Sequence, residues 1–501
     1  MKHILYIALF FLALPLRAIN PDDSSRSVWL WEGPVQKYSD YFEFNPSATF
    51  ALPNFHYGIL GVDYGLSKAD ETMHLVQDGD GSNALRIQTS SYQKTGKQSF
   101  FGEASFVSDQ RSNVQWCDVE DRALLNPYLI GDSIGGDYYR EAYTMGGGTS
   151  IQTGKWELGL RGLYQGSVSY RKVDPRPRNT VSNIQINPGV TFLTGPWRIG
   201  WYGQYERYRQ NVDIQVEKEG RKVYFFLLQG FGIYNRQFSE LDESYTRIYN
   251  GNLFSTGLSL NYSKSPVLKS GLRIAAQRDG LEASESDRRT PYKITRNGLS
   301  AEFTHQQDML GRTLLVRGSY TILQTIGNET QYTPTTINTN FIIWNFATQS
   351  DRYQSVMEGM GLSVALVNPK YWETSVWGQL ELSRNQQNQD YYTPDYLQYI
   401  HDRTVSATLG LHAPMRKSCL DAELHVGHRQ VFFSDLYQDE NTVLASRLIL
   451  PDYAYLSSDQ TYYQVKLKYT YGLVSSTLAG GLRLNGQNQA YFAQAGLALN
   501  F

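Results

Sequence analysis

Apolar and polar residues alternate singly along most of this chain. Between residues 156 and 171, Trp156, Leu158, Leu160, Tyr164, Val168 and Tyr170 share one parity. Glu157, Arg161, Gln165, Ser167, Ser169 and Arg171 share the other. A period of two means a strand with one apolar and one polar face. The run is longer than the usual strand of about 5–6 residues. It is long enough to cross a tilted path through a bilayer, which takes roughly 9–11 residues. The pattern returns at 197–206, 372–382, 420–427, 463–471 and 491–501. Residues 153–164 and 194–205 resemble each other: a glycine turn, a tryptophan opening the strand (Trp156, Trp197), then alternation. Such a tryptophan is expected at headgroup level.

Connections alternate in length. Short turns are expected near 94–97, 153–155, 195–196, 263–269, 308–312, 368–370, 413–418 and 473–475. Long, mostly polar connections are expected at 110–137, 213–251, 327–351, 386–401 and 432–460. The apolar run 223–228 inside the second is a candidate strand extension. Short turns at one end and long loops at the other predict an outer-membrane barrel with short periplasmic turns and long extracellular loops. The fold expected is all-β: one transmembrane antiparallel barrel of about 16–18 strands over residues 54–501.

The N-terminus fits export. A basic start (Lys2, His3), an apolar run from Ile4 to Leu16 and a small residue at Ala18 read as a signal peptide over 1–18, cleaved after Ala18. Residues 19–53 would then lie beneath the barrel, plug it or be disordered. The last strand ends on Phe501, with Leu499 on the same parity. This resembles the signal read by the barrel assembly machinery, which together with outer-membrane lipid is an expected partner.

Composition adds exclusions. The chain has 501 residues, with Lys+Arg 46 against Asp+Glu 48 and a net charge of −2. That balance excludes a nucleic-acid binder working through bulk positive charge. Mean hydropathy is −0.43, and no mature run is long enough for an apolar helical span. The 37 tyrosines need places both apolar and wet. Two cysteines, Cys117 and Cys419, argue against a disulfide scaffold or a cysteine-rich metal centre. They leave open one long-range bridge or two thiols.

Asp174-Pro175-Arg176-Pro177-Arg178-Asn179, Asn45-Pro46-Ser47-Ala48 and Asn126-Pro127-Tyr128 are the local markers by which the chain resembles Bacteroidetes-type outer-membrane barrels of unknown function. A remoter similarity, in architecture alone, is to long-chain fatty-acid transporter barrels. Neither resemblance implies catalytic or cofactor-binding residues.

Candidate chemistry is sparse. Asp174-Pro175-Arg176-Pro177-Arg178 reads as a rigid turn before it reads as an anion site. His425 and His428 have opposite parity and point to opposite faces of a strand. With His412 they read as structural polar residues, and no metal or cofactor is expected. No Ser/His arrangement suggests an enzyme. The polar parity is expected to face the lumen with both signs: Glu157, Glu206, Glu373, Glu381, Asp421 and Glu423 against Arg161, Arg198, Lys466, Lys468 and Arg483. Two functions remain: a channel or transporter for a small solute, and a non-transporting barrel whose loops bind a protein, surface lipoprotein or glycan.

Overall fold

A computed structural model describes residues 44–52, 56–217, 223–239, 245–265, 268–286, 289–338, 341–368, 373–415 and 418–501. The expected signal peptide over 1–18, most of the 19–53 segment and Trp372 lie outside the described residues. In chain order the strands are β1 (His56–Ala69), β2 (Gly81–Thr95), β3 (Gln98–Val114), β4 (Ile130–Asp132), β5 (Gly136–Thr153), β6 (Trp156–Arg171), β7 (Arg176–Thr194) and β8 (Trp197–Gln215). They continue as β9 (Val223–Gly230), β10 (Ile233–Ser239), β11 (Tyr245–Ser265), β12 (Leu268–Glu285), β13 (Tyr292–Met309) and β14 (Arg312–Asn338). The rest are β15 (Phe341–Val367), β16 (Ser375–Tyr391), β17 (Tyr396–Met415), β18 (Ser418–Tyr437), β19 (Gln460–Tyr471), β20 (Val474–Asn485) and β21 (Asn488–Asn500). Two short helices are α1 (Arg122–Leu125) and α2 (Leu450–Leu456), the latter continuing a π-helical turn at Ala445–Ile449.

All strands but β4, β9 and β10 form one 18-stranded antiparallel sheet that closes on itself. Closure runs from Ile59↔Asn500 to Ala69↔Ala490 between β1 and β21. Phe501 continues the seam: its N–H donates to the Gly58 carbonyl at 2.8 Å. Its ring fills the space a Cβ at position 58 would need. Leu499 faces outward and is exposed. The result is a transmembrane barrel, and alternation is its cause: Trp156 is 49% exposed while its neighbour Glu157 is 1% exposed. Leu158, Leu160, Ile199, Leu258, Leu380, Val465 and Leu497 lie on the same outer surface as Trp156. An apolar outer surface of this kind suits hydrocarbon.

The tight turns are set locally. Thr153 pairs with Trp156 around Gly154, whose φ is +58°, and Asn485 pairs with Asn488 around Gly486, also at +58°. Glycine takes this conformation without a Cβ clash, and at the first turn position it makes the hairpin turn that suits twisted strands.

Two expected long loops are corrected. Residues 327–351 and 386–401 are mostly strand: β14 and β15 pair as far as Asn338↔Phe341, and β16 and β17 as far as Tyr391↔Tyr396. Their upper parts carry Thr, Gln, Asn and Tyr on both parities. Beyond the apolar belt neither face must be apolar, so the strands run on while the alternation that marks them fades. The run 223–228 is a strand too, but it leaves the barrel wall. β4, β9 and β10 form a separate three-stranded sheet, with Ile130↔Leu227 and Tyr234↔Leu228 in register.

Candidate functional site: a half-filled lumen

Three connections at the long-loop end fold into the barrel. They are residues 115–135, the β9–β10 hairpin and residues 438–459. Trp116, Leu125, Tyr128, Leu129, Ile130, Phe225, Leu227, Leu444 and Leu448 form one buried core with inner-wall residues Tyr138, Tyr208, Val212, Ile214, Tyr249, Leu281, Tyr292 and Ile294. Each fully buried Leu, Ile or Phe contributes roughly 1.5–3 kcal/mol, so this cap is a packed body and not a set of mobile loops.

Polar anchors fix it to the wall. Arg171 on β6 pairs with Asp132 at 2.5 Å and Asp118 at 3.3 Å, all three almost fully buried. The Tyr138 hydroxyl donates to Asp118 at 2.6 Å, and Tyr208 to Asp121 at 2.6 Å. Tyr249 donates to the Tyr128 carbonyl at 2.8 Å, and Arg296, itself paired on the wall with Asp279 at 2.5 Å, donates to the Leu124 carbonyl. Burial first, then the neighbouring Asp132 carboxylate, pushes Asp118 well above the usual carboxylate range. Much of the tyrosine content is thus spent on inner-wall anchors as well as on the outer belts, with ring packed and hydroxyl bonded.

The cap reaches across to the opposite wall. Arg429 on β18 donates to the Leu456 carbonyl at 2.7 Å and the Ser458 carbonyl at 3.2 Å, and pairs with Asp402 at 3.1 Å. Arg483 donates to the Tyr455 hydroxyl at 2.8 Å. Asp452 on α2 accepts the Val76 N–H at 2.7 Å, joining the cap to the β1–β2 connection. Burial pushes this carboxyl up to about 7.

At the short-turn end the segment around Pro46–Ala51 lies against the inner faces of β5, β6 and β7. Asn45 caps this turn, its side-chain oxygen accepting the Ser47 N–H at 3.1 Å. The Thr49 hydroxyl lies 2.9 Å from Ser150 and 3.2 Å from Ser99. Cβ atoms at Gly159 or Gly189 would strike Pro46, Ser47 and Asn45. The two glycines admit the segment. Phe44 packs beneath the Arg273 guanidinium, 3.9 Å from it.

The structure places the charged residues singled out by parity as follows. Glu157 pairs with Arg198, and Arg161 with Glu103 at 2.6 Å. Glu206 accepts from Asn183 at 2.8 Å. Asp421 stands opposite Lys468, and Glu423 opposite Lys466, across β18 and β19. Glu381 lies on β16, whereas Glu373 sits in the bend before that strand. Cys117 and Cys419 are both buried and unbridged. His425 and His428 bond to separate partners, Thr408 and Thr461.

In sequence, His412 reads as a structural polar residue. It stands directly opposite Asp421 across the β17–β18 turn, and its Nδ1 lies 2.6 Å from Asp421 Oδ1 and 3.5 Å from Cys419 Sγ. Hairpin register was the available signal: with a turn between Met415 and Ser418, positions 412 and 421 must face each other.

The wall from β16 round to β3 differs from the packed one. There the inner-face residues Glu381, Asn385, Gln494 and Arg86 are exposed although they point into the barrel. Among the described residues, the cap's buried core lies against β5 to β13 and does not extend to this stretch of wall.

A family profile matches residues 46–501, described as a family of unknown function (DUF6850). The chain belongs to this family. The matched region starts within the Asn45-capped segment. No curated protein matches the chain. Among solved structures it is similar to the outer membrane transporter YddB from Escherichia coli, with 8% identity over 88% of this chain and 80% of that one and a TM-score of 0.40. It is also similar to BauA, the ferric preacinetobactin receptor from Acinetobacter baumannii, with 8% identity, 89% and 80% coverage and a TM-score of 0.41. The siderophore receptor PirA from Pseudomonas aeruginosa gives 10% identity, 90% and 81% coverage and a TM-score of 0.34. These likenesses are remote, and the barrel of the DUF6850 chain is established by its own strand pairing.

Proposed function

We propose that this DUF6850 barrel is exported to the outer membrane and passes a small polar solute, with the infolded cap as its gate. The observation that carries this reading is the exposed polar wall: Arg86, Glu381, Asn385 and Gln494 are exposed on the inner face of a closed barrel. A barrel of eighteen strands is wide enough for an aqueous path unless something fills it, and among the described residues the filling occupies one side. Both charge signs on the open wall suit a hydrophilic cargo over an apolar one. The short-turn end corresponds to the periplasmic mouth and the capped end to the exterior.

Single-channel recording in planar bilayers tests this. The wild-type protein should be mostly closed with brief openings. Cutting the cap's anchors with Arg429→Ala should lengthen them. Silence in both, with folded barrel present, would remove the transport reading.

A second reading keeps support from one feature. Ile343 and Phe346 are exposed on the projecting part of β15, which suits a barrel that holds a surface partner through its loops. Loss of partner capture on Phe346→Ser, with conductance absent throughout, would favour it.

A further inference from the structure

We propose that His412, Cys419 and Asp421 form a binding site for a zinc-type divalent cation on the inner wall of the barrel. The site is made by one hairpin. The turn between Met415 and Ser418 brings His412 opposite Asp421, and Cys419 lies two residues before Asp421 on the same face. His412 and Cys419 are buried, while the Asp421 side chain is 36% exposed, which leaves a path for an ion from the lumen.

The donor atoms converge. Each pair lies within 4.8 Å. Cys419 Sγ is 3.5 Å from His412 Nδ1 and 3.7 Å from Asp421 Oδ2. A tetrahedral ion with bonds of roughly 2.3 Å to sulfur and 2.0–2.1 Å to nitrogen and oxygen needs ligand separations of about 3.3–3.6 Å. One edge already has that length, and a second, at 3.7 Å, is slightly longer. The third, His412 Nδ1 to Asp421 Oδ1 at 2.6 Å, is a hydrogen bond in the ion-free state. It opens as the carboxylate turns Oδ2 to the ion.

The donor set selects the ion. One imidazole, one thiolate and one carboxylate suit zinc or cobalt(II), with a fourth position left for water. Calcium and magnesium require oxygen donors throughout. Protons balance simply. The Cys419 thiol proton is released to water, and the imidazole proton moves from Nδ1 to Nε2 through solvent, freeing the Nδ1 lone pair. Lys468, opposite Asp421 in the register, competes for the carboxylate and holds affinity down. The site belongs to the wall itself and stands whatever the barrel carries.

The test uses the folded barrel purified in detergent and stripped with a chelator. Titration with Zn²⁺ should show one saturable equivalent, and Co²⁺ should give a thiolate-to-metal charge-transfer band. Cys419→Ser should abolish the band and weaken zinc binding more than tenfold, and His412→Ala should weaken it comparably. Cys117→Ser should change neither, and Lys468→Ala should tighten binding. If Cys419→Ser fails to assemble, maleimide labelling of the folded wild-type protein replaces it, and zinc should slow modification of Cys419. No saturable equivalent in the wild type, full binding by Cys419→Ser, or labelling indifferent to zinc would each overturn the site.

Discussion

The two halves of this barrel share a strand pattern and differ in what they face. From β5 to β13 the inner wall is packed: Tyr249, Val212, Ile214 and Ile294 are almost wholly buried against the cap. From β16 round to β3 the same inner parity carries Glu381, Asn385, Gln494 and Arg86 in contact with solvent. The outer faces of both halves are alike. Alternation therefore specifies the barrel without specifying its contents. What fills the lumen is decided by which inward positions are apolar. Val212 and Ile214, near the long-loop end of β8, are buried against the cap, whereas the inward positions 464 and 466 of β19 are Gln and Lys.

The strongest test of this contrast is to unlock the packed half. Arg171→Ala leaves Asp118 and Asp132 buried without their cation, and breaking a buried pair this way costs about 3–5 kcal/mol. We expect the barrel to assemble and keep its heat-modifiable migration on gels while residues 115–135 become open to protease. If the cap stays resistant, its apolar core alone holds it.

Next is the distinction between outer and inner parity on one strand of the open half. Val465 is 47% exposed on the outer face, so Val465→Lys near the membrane midplane should cost roughly 2–4 kcal/mol and reduce assembly. Folded yield in lipid vesicles measures it.

The latch between the halves responds to pH. Burial favours the protonated form of Asp452, with its carboxyl near 7. The docked cap therefore binds more protons than the undocked one between about pH 4 and 7, so docking is firmest at the acid end and weakens as pH rises through that window. Protection factors over 444–456, corrected for intrinsic exchange, should be higher at pH 5 than at pH 8, and Asp452→Asn should flatten the difference.

The smallest expected effect on stability is at the charge ladder. Cross-strand pairs of opposite charge are worth roughly 0.2–1 kcal/mol each. Replacing both Lys466 and Lys468 by Glu should leave assembly intact and shift ion selectivity toward cations. Failed assembly of this double variant, with Val465→Lys tolerated, would reverse the two faces of β19.

The sequence made the wall legible and hid the filling, for physical reasons. Hydrocarbon outside imposes a strict period of two, so β6, β8, β18 and β19 could be read from single residues. Trp116, Val119, Leu125, Leu129 and Ile130 are apolar without period, because they pack on a curved inner wall and obey no lattice of their own. The run 223–228 showed strand chemistry, yet only the fold shows that β9 pairs with β4 instead of the barrel. His412 was visible but was weighed by strand parity alone, while its partners lie across a turn.

One consequence follows from the longest hairpin. Glu329 is the last residue of β14 paired to β13. From Thr330 to Asn338 the strand pairs with β15 alone, apart from one bond from the Thr330 N–H to the Pro291 carbonyl. At about 3.3 Å per residue that stretch has a contour length of about 30 Å, comparable to the hydrocarbon thickness of a bilayer. The barrel thus carries a mast about as long as the layer it crosses. Over most of that length, among the described residues, neither strand has a neighbour in the wall other than its hairpin partner, so both faces and both outer edges of the hairpin are open to contact.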